Sequence, residues 1–116
     1  MRNITISGDI IDFSQEQLRN WLRFHSKRAF LSGDGCHCPV AGFLNAKAPL
    51  PKGRFWNVAD YYAEVVVRRS NGKHFPAPYA ERGVLPKWVQ RFINLVDSRL
   101  GAPITGKEAL ELIDGQ

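Results

Sequence analysis

The sequence predicts a mainly α protein, with about four or five short helices in a compact bundle and a small β-hairpin as a minor element; an all-α bundle is the alternative. Three observations predict it. Two stretches carry a complete helix-start device, Ser14 with Gln17 and Thr105 with Glu108. In each, the hydroxyl can accept from a free N–H of the first turn while the third side chain reaches back to the cap. Two prolines, Pro39 and Pro86, stand just ahead of apolar runs, where their missing N–H would have been unpaired anyway. Apolar residues then recur at helical spacing, as Leu18, Trp21 and Leu22, and again as Trp88, Val89, Phe92, Ile93 and Val96.

Taken in order, Ile4-Thr5-Ile6 alternates and suits a short strand, closed by a turn at Ser7-Gly8-Asp9. Ser14 starts the first helix, with Phe13 and Leu18 placed to staple its cap and His25 extending the apolar face of Leu18, Trp21 and Leu22. Ser32-Gly33-Asp34-Gly35 breaks the chain, and Pro39 opens a second helix carrying Val40, Ala41, Phe43 and Leu44. Ala48–Gly53 is a loop with two prolines. Between Phe55 and Phe75 two patterns compete. The spacing of Phe55, Val58, Ala59, Tyr62 and Val66 fits a helix that Asn57 would cap, but Val65-Val66-Val67 is stiff and β-branched. The reading adopted is a short helix near Val58–Tyr62 running into a strand through Val67, then a hairpin at Asn71-Gly72 leading to His74–Phe75. Pro86 opens a further helix that Gly101 ends, and Thr105 caps the last, with Ile104 against Ala109 and Leu110 and Ile113 facing inward.

The whole chain sets bounds. Its 116 residues fit a single domain, 1–116, and 44% hydrophobic content is enough for one core. No apolar run is long enough to cross a membrane and the first residues lack a signal core, so a cytoplasmic protein is expected. Cys36 and Cys38 are one residue apart, which does not resemble a secreted disulfide framework. The net charge of +5 lies in the body of the chain, because the tail from Gly106 sets Lys107 against Glu108, Glu111 and Asp114. A basic body permits nucleic-acid or acidic protein partners without requiring them.

Cys36-His37-Cys38 is the one cluster with reactive chemistry. Zinc takes four ligands, usually in spaced pairs, and the remaining histidines, His25 and His74, are isolated. A site from Cys36, Cys38, His25 and His74 can be drawn, but the spacing does not predict it. A nucleophile is the other reading: Cys38 would stand where a helix dipole lowers a thiol pKa, yet no third group is in sequence to orient a base. The plainer reading packs Cys38 into the core at a helix entry. The glycines match neither phosphate-binding pattern, and the paired acids Asp9/Asp12 and Asp60/Glu64 read as surface charges. Neither a metal nor a cofactor is expected.

The basic residues are the stronger signal. Arg19, Arg23 and Lys27 lie four apart; Lys87 and Arg91 repeat this on the Pro86 helix; Arg68, Arg69 and Lys73 flank the Asn71-Gly72 turn. Such stripes can neutralise phosphates, with Trp56, Phe75 or Tyr79 nearby to stack on bases, but any amphipathic helix has a charged outer face. Trp56, in Gly53-Arg54-Phe55-Trp56-Asn57, reads as an exposed interface anchor.

Two segments resemble a set of small bacterial and phage proteins of unknown function: Cys-Pro-Val-Ala-Gly-Phe-Leu at Cys38–Leu44, and the Leu85–Asp97 stretch with its Pro-Lys-Trp start and Val-Asp end. The resemblance implies no activity and no catalytic residue, and it favours Cys38 as a packed helix-entry residue. The expectation is a small, non-catalytic binding protein, a phage or mobile-element accessory factor that occludes a host enzyme or nucleoprotein complex, in the manner of anti-CRISPR inhibitors. Its interaction residues would be Arg19, Arg23, Lys27, Trp56, Arg68, Arg69, Lys73, Lys87 and Arg91. Direct DNA or RNA binding is the alternative, and a cysteine- or zinc-dependent enzyme at Cys36–Cys38 the second alternative.

Overall fold

The computed structural model describes residues 4–7, 10–68, 74–76 and 82–115. It overturns the mainly α bundle. Four helices share the chain with eight short strands, in the order β1 (Thr5–Ser7), β2 (Ile10–Asp12), α1 (Gln15–Phe24), β3 (Ala29–Leu31), α2 (Pro39–Lys47), β4 (Arg54–Val58), β5 (Tyr62–Arg68), β6 (His74–Pro76), β7 (Arg82–Val84), α3 (Lys87–Asp97), β8 (Pro103–Thr105) and α4 (Gly106–Asp114). One sheet has six strands in the order β1-β2-β7-β5-β4, with β6 pairing β5, and a second sheet holds β3 and β8. Val66 pairs with both Phe55 and Pro76, and Ala63 with both Val58 and Gly83, so β6 and β7 share one edge of β5 opposite β4. All pairings are antiparallel except β2 with β7.

The four helices start where the sequence places them, but α3 ends at Asp97 with Ser98 as its C-cap and not at Gly101. Ser14 Oγ accepts from Gln17 N–H at 3.1 Å while Gln17 Oε1 accepts from Ser14 N–H at 2.8 Å. Thr105 and Glu108 repeat the arrangement on α4. Pro39 is the first residue of α2 and Pro86 caps α3. α1 ends one turn early for the basic stripe: His25 is its C-cap, so Lys27 lies in the following turn and not on the helix.

The helix expected near Val58–Tyr62 is a tight connection between two strands, closed by Ala59 N–H donating to Tyr62 C=O at 2.8 Å. Residues 54–58 follow the period of two: Trp56 and Val58 face the core, Phe55 and Asn57 the opposite side. Trp56 is therefore not an exposed anchor. It is 1% exposed, and its Nε1 donates to Ala48 C=O at 2.9 Å. The strand through Val67 and its hairpin partner at His74–Phe75 are present, with Val67 opposite Phe75.

Ile11, Ala63 and Val65 from the sheet join Leu18, Leu22, Phe43, Phe92 and Ile113 from the helices in one buried cluster. Two glycines permit its closest approaches. A Cβ at Gly83 would lie 2.5 Å from Ile11 Cγ1, and one at Gly106 would strike the His25 carbonyl. Two strand edges, those of β4 and β8, are closed by specific groups. On β4, Trp56 N–H donates to Asn45 Oδ1 at 3.1 Å and Val58 N–H to Gly35 C=O at 2.8 Å. On β8, Pro103 has no N–H and Thr105 N–H is held by Glu108 Oε1 at 3.1 Å.

Candidate functional site

The loop 32–38 is the centre of the site, and its polar groups fasten it to three neighbours. Ser32 is buried; its Oγ donates to Ala102 C=O at 3.0 Å and accepts from Gly101 N–H at 2.8 Å. Gly33 N–H donates to Asp97 Oδ1 at 3.0 Å. Gly35 sits so close to Asn57 and the Val58 carbonyl that a Cβ would overlap both. Asp34 accepts from Cys36 N–H and bonds His37 Nδ1, each at 3.0 Å. Burial pushes the Asp34 carboxyl up, but the hydrogen bonds from Cys36 and His37, with the imidazole charge, outweigh it and hold the group below its ordinary value.

The two thiols have structural partners. Cys38 is the N-cap of α2, its Sγ accepting from Ala41 N–H at 3.4 Å. Burial pushes its pKa up to about 12, beyond what the cap hydrogen bonds offset. The nucleophile reading, which needs a lowered pKa, is thus opposed by the packing that the plainer reading anticipated. Cys36 is half-buried with Sγ 3.6 Å from Asn57 Oδ1, and burial followed by the Asp34 charge raises its pKa. His25 packs at a tilt against Trp21 with ring centroids 4.6 Å apart. Among the described residues, no three His, Cys, Asp or Glu side chains converge as metal ligands.

Beside this loop lies an open groove of about 540 Å³. Arg28, Ala29 and Leu31 form one wall, Asn45 and Ala46 of α2 the other, and Cys36–Cys38 one end. Phe30 is buried beneath it, while Ala29 and Leu31 are exposed. The Arg28 guanidinium is held at the rim over Phe30, 4.9 Å from the ring centroid, and 5.6 Å from that of Trp21.

The basic residues do not gather here. Arg19 Nε lies 3.0 Å from Asp114 Oδ1, close enough for an ion pair yet not aligned as a hydrogen bond. The two side chains are partly exposed overall, so the pair is weak. Arg23 is exposed beside Asn20, and Lys27 is exposed beyond the helix end. Lys87 and Arg91 are exposed on α3. Arg68 ends β5, with its side chain outside the described structure, and Arg69, Lys73 and Tyr79 lie outside the described residues. Sequence reasoning missed Arg28, Ala29, Asn45 and Ala46. A three-residue strand such as Ala29-Phe30-Leu31 shows too little alternation to be read, and nothing local marks the edge of a strand. It also missed Arg82, whose guanidinium lies 3.8 Å from the Tyr62 ring centroid and donates to Tyr61 Oη at 3.2 Å.

No family model, curated protein or solved structure matches the chain.

Proposed function

We propose that this chain is a non-catalytic binding protein, an accessory factor of the phage or mobile-element kind that occludes a host enzyme or nucleoprotein complex, and that it docks through the groove between β3 and α2. The observation that supports this reading is the groove itself, which is open, walled by a strand and a helix, and rimmed by a fixed arginine. The side chains nearby with reactive chemistry are tied into the scaffold. Cys38 caps a helix, His37 bonds Asp34, and Cys36 faces Asn57. A nucleophile needs an ionisable thiol beside an oriented base, and burial here works against the thiolate. The test is affinity capture from host lysate with and without nuclease. A protein partner that survives digestion is expected; recovery of nucleic acid alone would sink the reading.

Direct DNA or RNA binding is the second reading. It draws on one observation: the Arg82 guanidinium lies over the Tyr62 ring, which Tyr61 meets edge-on, beside exposed Val84 and Ile10. Such a platform suits base stacking. Its affinity for a single-stranded oligonucleotide should fall steeply with salt, and a flat response would remove it.

A further inference from the structure

The groove carries a more specific inference, because one wall is a strand with an unfilled edge. The ladder between β3 and β8 fixes which backbone groups point where. Arg28 C=O accepts from Gly106 N–H at 2.9 Å, and Ser32 N–H donates to Ala102 C=O at 3.4 Å. With Phe30 opposite Ile104, the even-numbered residues therefore bond β8. Strand alternation turns the N–H and C=O of Ala29 and Leu31 the other way, into the groove. There, Leu31 N–H is taken by His37 C=O at 3.0 Å. The loop has thus made one rung of a third strand. The next position, the N–H and C=O of Ala29, has no hydrogen-bond partner among the described residues.

This opening contrasts with the neighbouring edges. The free edges of β4 and β8 are closed by Asn45, Gly35, Pro103 and Glu108. An open strand edge beside a helix is the arrangement by which extended peptides are bound as an added strand. Charge selects the occupant. No carboxylate lines the groove, Arg28 stands at its rim, and exposed Lys27 precedes it. We propose that an acidic, extended peptide segment of a partner protein binds between β3 and α2, adding a strand that pairs with Ala29 and placing its carboxylates beside Arg28.

This rests on the reading of the chain as a protein-binding factor, and the two can fail separately. The probe is a blocked hexapeptide of alternating valine and glutamate, titrated into the full chain with isotope-edited amide detection. Binding should shift the Ala29 amide and slow its hydrogen exchange at least about tenfold. The same peptide N-methylated on every second residue, made in both phases, should bind in one phase and fail in the other, because only one edge faces β3. Arg28→Glu should weaken the acidic peptide about fivefold or more. Ala29→Pro removes the groove-facing donor without touching the β8 ladder and should abolish binding. Should that variant misfold, Arg28→Glu and the N-methyl pair still decide. Equal binding of a valine–lysine peptide, indifference to N-methylation, or no binding by any peptide would overturn the proposal. So would concentration-dependent dimerisation through β3, which assigns the edge to a second copy. A nuclease-resistant partner from lysate with no peptide binding would overturn the strand addition and leave the protein-binding reading standing.

Discussion

Cys38 shows how one residue excludes one chemistry and permits another. Its thiol is buried, accepts a hydrogen bond at the start of α2, and has its pKa pushed from an ordinary 9.0 to about 12. With iodoacetamide at pH 8, Cys36 should label slowly and Cys38 only on unfolding; rapid labelling of Cys38 in the folded protein would contradict this. The same shift sets a pH dependence. A folded pKa above the unfolded one means the unfolded state ionises first. The contribution is fully present below about pH 9 and is lost as pH rises toward 12. The urea midpoint should therefore fall between pH 8 and 10.5, and fall less in Cys38→Ala. Asp34 has the opposite sign. Its folded pKa lies below the ordinary 3.8, so its contribution is present above that value and lost as pH drops through the folded pKa. Asp34→Asn should flatten the acid limb of the stability curve below about pH 4.

At the scale of elements, the helices and strands differ in how they are specified. A capping box is local: Ser14 with Gln17 and Thr105 with Glu108 meet within one turn, and both were legible. The short strands are not local. Ile10 pairs with Val84 and Phe30 with Ile104, and three residues give too little alternation to separate strand from loop. Where a strand is longer, alternation competes with helical spacing. Phe55, Val58, Ala59 and Tyr62 fit a helical face by coincidence, while the observed period buries Trp56 and Val58 together. The groove was illegible for the same reason, since an open edge exists only after β3 and β8 have paired. Two substitutions test this packing in denaturant unfolding. Trp56→Ala should cost about 3–5 kcal/mol as a buried aromatic is removed. Gly106→Ala places a methyl group against the His25 carbonyl where the start of α4 meets the end of α1, and should cost about 1–3 kcal/mol as overpacking. A loss below 0.5 kcal/mol, on the scale of an ordinary surface change, would mean that this junction is looser than its geometry shows.

At the scale of the molecule, the basic residues stay dispersed and the α1 stripe loses its last member. Arg19 faces Asp114, Lys27 leaves the helix, and Lys87 and Arg91 lie on α3. The groove instead combines shape, an open backbone edge and the Arg28 charge in one place. No described helix is long and apolar enough to cross a membrane. The most direct measurement compares the full chain with Ala46→Trp, which fills the groove from an exposed position on α2. Both are used to capture partners from nuclease-treated host lysate, with unfolding curves confirming equal stability. A partner retained by the unaltered chain and lost by Ala46→Trp is the expected result. A partner held equally by both, or nucleic acid recovered only when nuclease is omitted, would contradict the groove as the working surface of this protein.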